Sequence, residues 1–173
     1  MSNSRPYFQT AFKFGLMGGI LIALLFAIMV YFDINPLVAN KSLDFGFIIV
    51  PIFVIFAIKE FRDYRYGGKI KFWQAMILGM LTVSFIALLS AIVVWSFLSL
   101  LGDDFLRQYI ADRTLLLEEY KPMIIENTSD DVYNNTFDEL QNVTPIILAF
   151  DDFLKKIFTG LFITLIISVV LRR

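Results

Sequence analysis

The chain has 173 residues, of which 58% are hydrophobic and 19 are Phe, and its mean hydropathy is +0.71; a water-soluble core of ordinary composition does not hide that much apolar surface, so the composition requires lipid. Neither Cys nor His occurs, which excludes a disulfide framework, thiolate or imidazole metal ligands, and catalysis by a Cys or His nucleophile or base. The formal net charge of −1 conceals a strong separation of charge along the chain.

Residues 1 to 14 are polar and mildly basic through Arg5 and Lys13, and an apolar run of 18 residues, Gly15 to Phe32, follows. As a helix this run is about 27 Å long, enough to cross a bilayer when slightly extended at its ends. It exceeds the ~7 to 15 residues of a signal-peptide core and no small-x-small cleavage site follows, so it reads as a span entered from the cytoplasm. Gly15 and Gly19 form a small-xxx-small pair, which permits close helix approach.

The connection from Asp33 to Asp44 carries Pro36, Asn40 and Ser42 as turn or capping residues and suits the outer side. The second span returns inward over an apolar core of only 14 residues, Phe45 to Ile58, a length that also fits a buried helix of a soluble protein. Alternation of orientation makes it a span. Pro51 lies in its middle, lacks an amide proton and clashes with the carbonyl of Phe47, so a kink is expected.

Lys59 to Phe72 then sets the sidedness of the chain. Lys59, Arg62, Arg65, Lys69 and Lys71 outnumber Glu60 and Asp63, and short loops rich in Lys and Arg stay cytoplasmic. Gly67 and Gly68 allow a positive φ and a tight turn, which Arg62 and Asp63 can brace by pairing. The third span, Phe72 to Leu101, has 30 uncharged residues, about 45 Å of helix against a hydrocarbon core of about 30 Å. Trp73 and Trp95 are about 33 Å apart along it, the separation of the two aromatic interfacial belts. The outer boundary therefore falls near Trp95. Gln74, Thr82, Ser84 and Ser90 are its polar residues, expected to bond back to their own helix or to a neighbour.

Between Gly102 and Pro145 ten acidic residues face three basic ones, a net −7. Following an inward-to-outward span, this segment is expected outside. Leu106, Ile110, Leu117 and Tyr120, then Tyr133, Phe137 and Leu140, repeat at helical spacing and predict two amphipathic helices. The break falls at Glu126 to Asp130, where Asn127, Thr128 and Ser129 can cap the second. No loop here has a calcium-binding spacing, so the acidic residues read as a solvated face.

The last helix can begin at Pro145, a favourable first position, and ends in the basic pair Arg172 and Arg173. Counting about 20 residues back from Leu171 puts its outer interface near Asp152, leaving Ile146 to Phe150 to pack on Ser96 to Leu101. Asp151, Asp152, Lys155 and Lys156 offer two i,i+4 pairs of the acidic-first order, with the lysines expected to snorkel outward. They read as an interfacial anchor or, alternatively, as the outer mouth of a solute path.

The block AIKEFRDYRYGGKIKFWQAMILG, Ala57 to Gly79, resembles the signature of the bacterial membrane proteins grouped as domain of unknown function 4199. Its lysine, Arg-Asp pair, glycine, Ile-x-Phe and later Ala and Gly fall on Lys59, Arg62, Asp63, Gly68, Ile70, Phe72, Ala75 and Gly79, and its aromatic before Arg-Asp is Phe61. The resemblance implies a small four-span inner-membrane protein of the Bacteroidetes type and brings no activity with it.

The sequence thus predicts an all-α integral membrane four-helix bundle with both termini cytoplasmic. Spans cover about 14–32, 43–59, 72–101 and 146–171, and an extracytoplasmic acidic helical hairpin occupies about 103–144 between spans three and four. An enzyme is not expected, because apart from the boundary quartet the hydrocarbon region holds no acid, base or metal ligand. No cofactor or nucleic acid is implied. A non-catalytic module that packs against itself or other membrane proteins is favoured over a small oligomeric channel or transporter, and its expected partners are the lipid bilayer, further copies of the chain, or other membrane proteins.

Overall fold

The computed structural model describes residues 5–32, 34–36, 45–101 and 103–172. Among these the regular structure is helical throughout: α1 (Arg5–Tyr31), α2 (Phe45–Tyr66), α3 (Phe72–Leu101), α4 (Asp103–Glu119), α5 (Lys121–Asn127), α6 (Asp130–Gln141) and α7 (Pro145–Leu171). The expected turn residues Asn40 and Ser42, the start of the second span at 43 and 44, Gly102 and the terminal Arg173 lie outside the described residues.

Several helix ends differ from the hydropathy boundaries. α1 begins at Arg5, two turns or more before the first apolar run, with Pro6 tolerated because a first-turn amide has no intrahelical acceptor. α2 runs without interruption through Pro51 and continues past Ile58 to Tyr66. Most of the expected basic loop is therefore helix, and the turn itself is Gly67 to Lys71. Gly67 at φ +60° and Gly68 at φ +92° stop α2, and the Gly68 amide donates back to the Arg62 carbonyl at 3.2 Å. The extension is stabilised because Ala57, Ile58 and Phe61 remain buried against the core.

α3 is the central helix, packed against α1, α2 and α7, while α2 also packs on α1 and α7. The contacts give directions. Gly15, Gly18 and Gly19 of α1 meet Phe85, Ile86 and Leu89 of α3 in the same order, so these helices run parallel. Gly79 and Val83 of α3 meet Thr164 and Gly160 of α7 in the reverse order, so α7 is antiparallel to α3. The buried core comprises Val50, Val54 and Ile58 from α2, Leu78, Val83 and Ile86 from α3, and neighbours from α1 and α7.

α1, α3 and α7 are each long and apolar enough to cross a membrane. The outward surface of all four long helices is apolar. Leu24 and Ile28 on α1, Phe47 and Phe56 on α2, Leu88 and Ile92 on α3, and Phe162 and Ile166 on α7 are between 49 and 67% exposed. Apolar side chains encircling a helical protein in this way call for lipid rather than water.

α4, α5 and α6 pack on one another beside the C-terminal end of α3. Where two amphipathic helices were expected, three form. Pro122 removes the amide that would bond to Glu118, and α5 starts afresh with this proline in its first turn. The second break falls where expected, with Ser129 as N-cap accepting from the Val132 amide. Leu148 and Ala149 of α7 join Val94 and Leu98 of α3, with Phe97, Phe105 and Leu106 packed around them.

Candidate functional site

At the end of the molecule where α1 begins, α2 ends and α3 begins, the side chains form a polar network. Tyr7 and Tyr66 share a hydroxyl–hydroxyl bond of 3.0 Å, the Gln74 amide donates to the Tyr66 hydroxyl at 2.9 Å, and the Lys71 amide donates to the Gln74 side-chain oxygen at 3.1 Å. Lys13 reaches Glu60 at 2.8 Å. Together these tie the first turns of α1 to the α2–α3 turn. The Tyr7 and Phe61 rings lie 4.5 Å apart beneath them.

The signature residues take distinct places in this end. Arg62 donates to Asp63 at 2.8 Å, the pairing expected from their adjacency. Gly68 supplies the positive φ of the turn, Phe72 opens α3 with its ring 5.2 Å from that of Trp73, and Lys59 is exposed. Ala57, Ile70 and Ala75 are buried. Tyr7 and Tyr66 went unnoticed in the sequence, whereas Gln74, expected to bond its own helix or a neighbour, bonds the Lys71 amide and Tyr66 of α2. A glutamine within the first turn of an otherwise apolar helix is the one signal that pointed to the tyrosines.

At the opposite end the four charges of α7 separate into two unlike pairs. Asp151 and Lys155 pair on the surface. Asp152 and Lys156 pair against α3, and Lys156 is only 8% exposed. Lys156 does not snorkel outward as expected: its ammonium bonds the Asp152 carboxylate, which also accepts from the Ser90 hydroxyl at 2.8 Å. Ser90 lies five positions before Trp95, about 7.5 Å further into α3. Thr82 and Ser84 instead donate to the carbonyls of their own helix, at Leu78 and Met80. A charged pair held between two helices, with a third group satisfying the carboxylate, is the arrangement that makes burial of charge tolerable.

Gly15 and Gly19 face α3 of the same chain. A Cβ at Gly15 would overlap the Phe85 Cβ and lie 3.2 Å from the Thr82 carbonyl oxygen, and one at Gly19 would meet Leu89. This glycine face is filled within the molecule. On α7, Thr164, against Gly79 of α3, and Ser168 are fully buried, and their hydroxyls find no partner among the described residues.

A family model described as protein of unknown function (DUF4199) matches residues 13–173, nearly the whole chain. No curated protein and no solved structure matches.

Proposed function

The chain belongs to the DUF4199 family of proteins of unknown function, and we propose that it is a four-span protein of the bacterial inner membrane, serving as a non-catalytic packing or assembly module. α2 is the fourth span in this reading: it has 22 residues, about 33 Å of helix, and its outward Phe47 and Phe56 continue the apolar girdle of its neighbours. The end bearing Arg62, Arg65, Lys69 and Lys71 is cytoplasmic by the positive-inside rule, with both chain termini on that side. α4 to α6 form an acidic cap on the outer side.

The observation that carries the assembly reading is the closeness of α1, α3 and α7. Glycines at 15, 19, 79 and 160 bring side chains of the facing helix into the space a Cβ would need, so the interior of one copy is filled by its own packing. The displayed surfaces are then the cap, the basic end and the girdle. A small oligomeric channel or transporter is the alternative, favoured by the Ser90, Asp152 and Lys156 cluster within the outer half of α3 and α7.

Purification of the tagged protein from its native membrane in mild detergent, with mass spectrometry of what accompanies it, decides between them. Unrelated subunits at fixed stoichiometry are the expected result. A homo-oligomer alone, whose solute flux in vesicles is lost in the Asp151→Asn, Asp152→Asn variant while its fold is kept, would replace the assembly role by transport.

A further inference from the structure

The first turns of α1 and the start of α3 enclose a cleft of about 750 Å³, within the ~300 to 1,000 Å³ range of small-molecule sites. Its walls change character along its length. Arg5 at the start of α1 and Gln74 in the first turn of α3 make its polar end, while Phe8, Ile77 and Leu81 line the apolar part further along, with Gln9 at the same level. Phe8 and Ile77 are each 55% exposed, and the ring of Trp73, the residue before Gln74, is 72% exposed. Among the described residues Arg5 contributes the one formal charge in the wall. Gln74 is committed to Tyr66 and to the turn, whereas the Arg5 guanidinium has no ion-pair partner among the described residues.

We propose that this cleft binds an anionic phospholipid of the inner leaflet, with its phosphate on Arg5 and an acyl chain along Phe8, Ile77 and Leu81. The inference rests on the membrane reading above, which puts this end at the cytoplasmic interface. Three features select the occupant. The guanidinium presents paired donors that match phosphate oxygens. The polar-to-apolar sequence of the walls follows that of an amphiphile, which a free phosphate does not. The lining Phe8 stacks on Phe12 at 6.3 Å, and both are about half exposed, so the apolar part continues into the girdle and a chain enters sideways without crossing water.

The two tryptophans of the chain supply the test. In Trp95→Phe protein, Trp73 is the single fluorophore, and brominated lipid beside it quenches its emission. Full-length protein reconstituted in vesicles is titrated with brominated phosphatidylglycerol or brominated phosphatidylcholine. Quenching should favour the glycerol lipid by about fivefold, the ratio expected from one cationic side chain at an anionic leaflet. Arg5→Gln should bring that ratio close to one, while Lys69→Gln, which removes the same charge from the exposed turn, should leave it standing. Quenching by both lipids with no preference would overturn the site and leave the membrane reading intact. Equal losses in Arg5→Gln and Lys69→Gln would overturn it in favour of diffuse surface attraction. If neither lipid quenched, the membrane reading would fall with it.

Discussion

Lys156 and Lys155 are adjacent in sequence, yet packing gives them different energetic weight. The Lys155 side chain is 64% exposed and its pair with Asp151 is of the kind that contributes little. The Lys156 side chain is 9% exposed and its Asp152 partner 24%. Replacing Lys156 alone strands a largely buried carboxylate that retains only the Ser90 hydroxyl, whereas replacing both charges by apolar groups removes the desolvation cost along with the attraction. Lys156→Met should therefore lower the unfolding free energy by about 3 kcal/mol or more, and Lys155→Met by less than about 1 kcal/mol. The double variant Asp152→Leu, Lys156→Met should recover most of the loss. Unfolding by SDS titration in mixed micelles measures all three, and equal effects of the two lysine variants would show that the buried pair has no special weight. The i,i+4 spacing revealed both pairs in the sequence. Which pair faces α3 was not legible, because that depends on the rotation of α7, set by the approach of Gly160 to Val83 and of Gly79 to Thr164.

The same contrast between what spacing reveals and what packing decides holds for whole helices. Hydropathy marks the part of a helix that meets lipid, so it located the centres of α1, α2, α3 and α7. It did not mark where the helices end. α1 and α2 extend beyond their apolar runs because Tyr7, Ala11 and Phe14, and Phe61, continue an inward face among polar neighbours. Gly67 with Gly68, Ser129 and Pro145 bounded helices correctly because turn and cap chemistry is local, while the break before α5 was missed although Pro122 stood in view. The glycines of α1 make the α1–α3 contact testable. Gly18 would place a Cβ 2.9 Å from the Ile86 Cδ1, the mobile tip of a side chain. Gly15 would place one on the Phe85 Cβ and close to a backbone carbonyl, neither of which yields without moving the helix. Gly15→Ala should cost about 1 to 3 kcal/mol by overpacking and Gly18→Ala distinctly less, read by the same SDS titration. The reverse order would mean that α1 meets α3 through another face.

Across the whole molecule the decisive asymmetry is charge. The end where α1 starts and α2 stops carries Lys13, Arg62, Arg65, Lys69 and Lys71, and the far end carries α4 to α6 with their acidic excess. α1 and α3 run parallel, so α2 must return the chain between them over the full thickness of the packed helices. The length of α2 past Ile58 supplies that return, although its apolar core alone is short. If the whole bundle were inserted the other way round, the Gly67 to Lys71 turn would lie on the outer side and the acidic cap inside. The absence of Cys from the chain makes the choice measurable without background labelling. Lys69 and Asn134 are both exposed, so Lys69→Cys and Asn134→Cys each present a reactive thiol without disturbing a packed surface. An impermeant maleimide applied to spheroplasts should modify the thiol at 134 and spare the one at 69 until the membrane is opened. The inverse pattern would reverse the orientation of the whole bundle. It would also set the five basic residues of the Lys59 to Phe72 segment against the positive-inside bias, and relocate both the cap and the Arg5 cleft to the opposite leaflets.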